Sequence, residues 1–109
     1  MTSDLLSDCR FTAHGMDCLV RVYPDVVCGY VVIQDEKHPL WGCGEDSPEV
    51  QALLSGGVTY ARILTMDGWD GWGIGFHSNG GNLKKDFVDA MAQCRTLAEA
   101  IRQVGLGTV

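Results

Sequence analysis

The sequence is poor in basic residues and in long apolar runs, and both shortages exclude classes of function. Eight lysines and arginines stand against fourteen aspartates and glutamates, so the net charge is -6. Because DNA and RNA binding draws most of its affinity from clustered basic side chains, direct nucleic-acid binding is not expected. The apolar run from Val26 to Ile33 is interrupted by Gly29 and falls far short of the roughly 20 residues that cross a bilayer. Asp4 and Asp8 lie where a secretory signal carries positive charge, which favours a cytoplasmic protein.

The cysteines and histidines also lack the spacings that mark disulfides or zinc sites. The cysteines are Cys9, Cys18, Cys28, Cys43 and Cys94. Their number is odd and no two form a C-x-x-C pair, which is typical of reduced thiols that fill a core. The histidines are His14, His38 and His77. No two of them have the i, i+4 spacing of a helical zinc motif, so we expect no metal ion and no cofactor. A metal site built from residues distant in the sequence stays open.

The chain is suited to a single domain, residues 1–109, because 46% of its residues are apolar. A first strand is expected to begin near Phe11 and to turn at His14-Gly15. From Met16 to Tyr23 apolar and polar residues alternate, which predicts a half-buried strand. Pro24-Asp25 supplies a turn, and the β-branched run from Val26 to Ile33 completes a hairpin.

A loop, a short helix and a second hairpin are predicted to follow. The charged, glycine-containing stretch 34–46 is expected to form an irregular surface loop. Ser47-Pro48-Glu49 combines an N-cap residue, a proline and an acid, which predicts a short helix from Pro48 to Leu54. The stretches Val58 to Thr65 and Trp72 to Phe76 have strand composition, and glycines between them supply a turn.

The last predicted element is a long amphipathic helix from Lys84 to Val104. Its apolar residues recur at intervals of three and four positions: Phe87, Ala90, Met91, Cys94, Leu97, Ala98, Ile101 and Val104. Asn82 can cap its start, and Gly105 is expected to stop it. The expected fold class is therefore α+β: a short antiparallel sheet of four or five strands packed by one C-terminal helix, with a short helix between the two hairpins. The other sheet face must then be polar, or be buried by a partner.

The segment from Gly71 to Asn82 joins a predicted strand to the start of that helix and is followed by Lys84-Lys85. Exposed N–H groups and the helix dipole could bind an anion there. The segment has Ser78 in place of the third glycine of G-x-G-x-x-G, and it is not a P-loop. A glycine-rich turn beside a solvated lysine pair is the alternative interpretation.

The sequence shows no catalytic signature, because neither G-x-S-x-G nor a cysteine-protease or deaminase pattern occurs. Carboxylates do cluster around the predicted loop: Asp35, Glu36, Glu45, Asp46 and Glu49. Such a patch could attract a basic protein surface that normally holds nucleic acid. A merely solvated loop is the alternative interpretation.

Five short blocks follow one another in an order and spacing that resemble a known family. They are HGMDC at 14–18, CGYV at 28–31, HPLWG at 38–42, GGVTY at 56–60 and WGIGF at 72–76. Together with the helix after them, they resemble a family of small phage and prophage proteins of unassigned biochemistry, over residues 14 to 101. Members often continue into an acidic GFDxAHxGD segment, whereas this chain has GFHSNGGN at 75–82.

The resemblance implies a phage-type, non-enzymatic binding protein in the cytoplasm of a bacterial host. Such a protein would counteract a defence system as anti-CRISPR inhibitors do, by binding a protein target, here through the acidic patch. The resemblance leaves open a sponge that sequesters a signalling nucleotide at a subunit interface of a homo-oligomer, as in anti-Thoeris proteins. Residues suited to that role are Phe76, Asn79, Asn82, Lys84 and Arg95. Two alternatives remain. One is a small enzyme that acts on nucleotides or peptides, with His77 and Cys43 as reactive groups, and the other is a virion component.

Overall fold

The chain forms five strands and two helices in the computed structural model, which describes residues 5–66, 68–78 and 80–106. The strands are β1 (Ser7–Ala13), β2 (Met16–Val22), β3 (Val27–Ile33), β4 (Tyr60–Met66) and β5 (Trp69–Ser78). The helices are α1 (Pro48–Gln51), between β3 and β4, and α2 (Leu83–Leu106), after β5. Adjacent strands are antiparallel and follow the order β1-β2-β3-β5-β4. In the described ranges, neither helix is long and apolar enough to span a membrane.

The α+β fold class predicted from the sequence is confirmed. A five-stranded antiparallel sheet packs against the C-terminal helix, and the short helix α1 separates β1 to β3 from the β4–β5 hairpin. His14 and Gly15 have φ values of 51° and 77°, as a two-residue hairpin turn requires. β1 begins before Phe11, where its start was expected, because pairing with β2 continues back to Ser7, which lies opposite Val22.

One face of the sheet and the inner stripe of α2 form the core. Five helix residues are 0% exposed: Ala90, Cys94, Leu97, Ala98 and Ile101. They join buried strand residues of the same cluster, among them Val20, Val31 and Ile74. Full burial of a leucine or isoleucine side chain, as at Leu97 and Ile101, contributes about 1.5–3 kcal/mol, so this stripe is a main source of stability.

The loop after β3 and the end of α2 pack together, which corrects two expectations. Leu40 is 1% exposed and Trp41 packs against the core, with its ring centre 6.3 Å from that of Trp72, so the loop does not lie wholly on the surface. α2 continues past Gly105, which therefore does not stop the helix. A Cβ at Gly105 would lie 2.9 Å from Nε2 of His38, so the glycine serves close packing there.

The sheet face away from α2 is neither wholly polar nor dependent on a partner for its burial. Leu19 and Val32 are 0% and 2% exposed, although they alternate with core residues and lie outside the core cluster. The guanidinium of Arg10 in β1 lies 5.0 Å from the ring centre of Trp69 in β5. In a flat sheet these two strands would be roughly 14 Å apart, so the β4–β5 hairpin curls back over this face.

Alternate glycines in β5 allow this curvature. Gly71, Gly73 and Gly75 all lie on the curled face. A Cβ at Gly75 would lie 2.5 Å from Cδ1 of Tyr30 and 2.6 Å from the carbonyl oxygen of Gly29. The glycines therefore leave room for neighbouring strands and rings to approach the backbone of β5.

Candidate binding site

A cleft of about 370 Å³ opens at one end of the sheet, where the β1–β2 turn meets the end of β3. Its lining residues are Gly15, Met16, Asp17, Val32, Ile33, Gln34, Asp35 and His38. The tight turn brings the first three of them to one wall, and the exit of β3 brings the rest. The pairing of Asp17 with Val32 in the β2–β3 ladder holds the two walls side by side.

The cleft combines an apolar floor with carboxylate groups. Ile33 is 1% exposed and Met16 is half-buried, so the floor is apolar and firmly packed. The carboxylate of Asp17 accepts a hydrogen bond from the side-chain amide of Gln34. The carboxylate of Asp35 accepts one from the backbone N–H two residues further on, at 2.9 Å. Among the described residues that line the cleft, none is a lysine or arginine.

His38 is a structural residue at the rim of the cleft. Its Nε2 lies 3.0 Å from the carbonyl oxygen of Ile101, which can only accept a hydrogen bond. Its Nδ1 accepts a hydrogen bond from the N–H of Leu40 at 3.1 Å. This pattern corresponds to the neutral ring with its proton on Nε2. His38 thus ties the loop to α2 and leaves the charge of the cleft to its carboxylates.

The acidic residues predicted as one binding surface lie in two places. Asp35 and Glu36 are exposed directly after β3, and Asp35 lines the cleft. Glu45 instead lies against β4, where its Oε1 accepts hydrogen bonds from a backbone N–H and from Nε of Arg62, each at 3.2 Å. Asp46 is exposed next to it. Because β5 lies between β3 and β4, only Asp35 and Glu36 belong to the neighbourhood of the cleft.

Phe76, expected to stack on a nucleotide, is a core residue. It is 3% exposed and lies opposite Gly29 of β3, whose lack of a side chain leaves room for the ring. A ligand cannot reach this ring without opening the core, so the prediction for Phe76 is wrong. Asn79, predicted for the same site, lies outside the described residues.

The remaining residues of the nucleotide hypothesis are not brought together within one chain. Asn82 caps α2 as predicted, because its Oδ1 accepts a hydrogen bond from the N–H of Lys85 at 3.1 Å. Lys84 is exposed in the first turn of the helix. Arg95 lies eleven residues later, roughly 16 Å along the axis, with its guanidinium 6.0 Å from the ring centre of Phe11.

The glycine-rich segment before α2 already holds an anion of its own chain. Asp86 is 4% exposed, and its Oδ1 accepts hydrogen bonds from the N–H of Gly80 at 3.2 Å and the hydroxyl of Ser78 at 3.3 Å. Donors that could have met an external anion are therefore used internally. This contact supports the interpretation of the segment as a structural turn.

The cysteine and histidine side chains that an enzyme could use as reactive groups are buried or hydrogen-bonded within the fold. Burial raises the pKa of the Cys94 thiol to about 12, which keeps it protonated and weakly nucleophilic. Cys28 lies directly opposite His77 in the β3–β5 ladder, a proximity that the sequence did not reveal, but burial raises the pKa of this thiol as well. Nδ1 of His77 lies 3.1 Å from the hydroxyl oxygen of Thr59. The thiol of Cys43 donates to a carbonyl of its own loop at 3.6 Å.

No protein-family model, curated protein or solved structure matches the chain. Within the described ranges, no three or more histidine, cysteine, aspartate or glutamate side chains are grouped to hold a metal ion. The cleft is a concave surface with an apolar floor and carboxylates in its lining.

Proposed function

We propose that the protein is a non-enzymatic binding protein whose cleft receives an arginine or lysine side chain of a partner protein. The lining of the cleft carries this proposal. The aliphatic part of such a side chain would pack on the half-buried Met16, above the buried Ile33, while its cationic head would reach the carboxylates of Asp17 and Asp35. Both of its chemical parts therefore have a matching surface.

The charges of the chain favour the same class of partner. An exposed ion pair contributes only about 0–1 kcal/mol, so the exposed Asp35 and Glu36 act mainly by steering a basic partner towards the cleft. Asp17 is half-buried, and a charge pair there is less screened by water and salt. The net charge of -6 adds a long-range attraction that weakens as salt rises.

The partner that we propose is a bacterial defence protein that holds nucleic acid in a basic groove. This step is supported by the resemblance of five sequence blocks to phage and prophage proteins, together with the acidity of the cleft. Binding alone would block such a groove, because nucleic acid and the acidic protein compete for the same basic residues. No turnover is needed for this effect.

A short arginine-containing peptide tests the cleft directly. In methyl-detected NMR titrations, the arginine peptide should shift the signals of Met16 and Ile33, and the same peptide with the neutral analogue citrulline should not. Asp17→Asn with Asp35→Asn should weaken binding about tenfold or more, as expected when a charge-assisted contact is lost. Glu49→Gln, which removes an exposed carboxylate in α1, is the matched control and should change little. Shifts elsewhere, or equal binding by the double variant, would refute this site.

Phage plating tests the biological part of the proposal. In a host with a nucleic-acid-guided defence system, the wild-type protein should restore plating and the Asp17→Asn, Asp35→Asn variant should not. Glu49→Gln should behave like the wild type. Multiple turnover of a nucleotide or peptide by the pure protein, abolished by His77→Ala, would replace binding by catalysis as the function.

A further inference from the structure

The two edges of the sheet differ in how they are covered. At β4, the carboxylate of Glu45 accepts the N–H of Ala61 at 3.2 Å, and the hydroxyl of Tyr60 donates to the carbonyl of Ile63 at 3.3 Å. At the opposite edge, β1 pairs with β2 on one side, and no other described strand lies on its outer side. An edge strand of this kind presents a row of backbone groups to which another strand can pair. The outer edge of β1 is thus the more open of the two.

We infer that β1 pairs antiparallel with β1 of a second copy of this chain, about a two-fold axis at Cys9. Asp8 and Arg10 flank Cys9 and lie on the same sheet face, since side chains alternate along a strand. In this register Asp8 of each copy lies directly opposite Arg10 of the other. Within its own chain the carboxylate of Asp8 accepts a hydrogen bond from Nε of Arg21 at 3.0 Å, and the guanidinium of Arg10 lies over the ring of Trp69. The second copy would add an opposite charge directly across the strand pair from each of these groups, which stabilises antiparallel pairing. The resulting isologous contact has the commonest symmetry of soluble oligomers.

Charge repulsion disfavours the neighbouring registers. A two-fold axis perpendicular to the sheet pairs residues that share a face, so the axis passes through a residue position. An axis moved to Asp8 would place the two Asp8 carboxylates directly opposite each other. An axis moved to Arg10 would do the same with two guanidinium groups. Like charges in directly opposed positions are destabilising, so the alternation of charge around Cys9 selects the register.

Two exposed leucines before β1 fit the same register. Leu5 and Leu6 are 45% and 58% exposed, and the chain still follows β2 here, since the N–H of Leu6 donates to the carbonyl of Val22 at 2.7 Å. Continued pairing would place Leu5 opposite Ala13 of the second copy and Leu6 opposite Thr12 of the second copy. Apolar area that faces water in one copy would be covered in the pair, which favours association.

The native Cys9 provides a test of register in the unmodified protein. Light scattering at rising protein concentration should show a monomer–dimer equilibrium. Mild oxidation should then join two copies through Cys9, with the oxidant taking up two electrons and two protons from the two thiols. Directly opposed residues have Cα atoms about 4.5–5.5 Å apart, within the roughly 4.4–6.8 Å range of disulfides. Cys9→Ser should abolish the cross-link, whereas Cys28→Ser should retain it.

Charge variants test the forces that hold the pair. Arg10→Asp places carboxylates opposite each other and should raise the dimer dissociation constant about tenfold or more. Lys84→Asp, the same charge change on α2, should leave the constant unchanged, with folding checked by circular dichroism. A chain that stays monomeric, a dimer cross-linked through another cysteine, or a dimer that survives Arg10→Asp would overturn the inference.

Discussion

Replacing Gly75 by alanine tests whether the glycines of β5 are required for close packing. Gly75 lies on the curled sheet face, between β3 and β4. The added Cβ would lie 2.5 Å from Cδ1 of Tyr30 and 2.6 Å from the carbonyl oxygen of Gly29. The ring can rotate away at some cost, but the carbonyl oxygen belongs to the β3 backbone. The substitution should therefore separate β5 from β3 locally.

The expected loss follows from two opposing effects. Adding a methyl group to a well-packed site costs about 1–3 kcal/mol. Alanine is about 0.5–1 kcal/mol more favourable than glycine in a strand interior because it loses less backbone entropy. Since a fixed backbone atom is involved, we expect the upper part of the first range and a net loss of about 2 kcal/mol. In a domain of this size, that corresponds to roughly 10 °C in melting temperature.

Urea denaturation followed by circular dichroism measures this loss, with an unchanged slope indicating a change in stability alone. Gly44→Ala is the matched control, because no atom lies within 4 Å of its added Cβ and its φ is not positive. It should change the free energy of unfolding by less than about 0.5 kcal/mol. If Gly75→Ala unfolds at the same urea concentration as Gly44→Ala, β5 does not need its glycines for packing.

Three further predictions concern the core, the thiols and the absence of external stabilisation. Leu97→Ala should lower the free energy of unfolding by about 2–5 kcal/mol, because this side chain is 0% exposed. Lys85→Ala removes a solvent-exposed ion pair and should lower it by less than about 1 kcal/mol. Equal losses in urea titrations would contradict the orientation of α2. Burial raises the folded-state pKa of Cys18 and Cys94 from 9.0 to about 11 and about 12. The stability linked to their protonation is fully present below pH 9 and is lost as the pH rises through those folded values. Under reductant, the free energy of unfolding should therefore fall in that pH range, and it should fall less steeply with pH in Cys94→Ala. Identical slopes of the free energy of unfolding against pH would show that the pKa of Cys94 is not raised. Reductant and chelator should each leave the melting temperature unchanged, and a clear fall with either would reveal a disulfide or a metal site.

The fold was predictable where one physical pattern governed a whole element. The three-to-four spacing of apolar residues identified α2, because all of them face one core. The end of α2 was not predictable, since Gly105 can act either as a helix stop or as a packing position, and only the approach of His38 decides between them. The start of β1 was missed because the residues from Ser7 to Arg10 are mostly exposed at an edge and lack an apolar alternation.

The candidate site was less predictable because its parts meet only through strand pairing. Asp35 was identified from the charges around it in the sequence, but Asp17 lies on β2. The β2–β3 register brings the two residues to one cleft, and this register cannot be predicted from the sequence of either strand alone. The sequence predicted Glu45 in the same patch, but its hydrogen bonds to β4 place it elsewhere. The anion-binding interpretation of the glycine-rich turn failed for a similar reason, since Asp86 reaches back into it from the next helix.

The two proposals address different surfaces and can therefore fail separately. Gly15, at the cleft, lies in the turn at the end of the β1–β2 hairpin, about five strand positions from Cys9, which is roughly 16 Å at 3.3 Å per residue. Pairing about Cys9 would place the two clefts roughly 30 Å apart, at opposite ends of the joined strands. A peptide with one arginine would then have the same affinity for each cleft, whether the protein is monomeric or dimeric. A partner with basic residues at both positions would gain from the high effective concentration of the second cleft, so dimerisation would strengthen binding to a whole protein surface without changing the chemistry of either site.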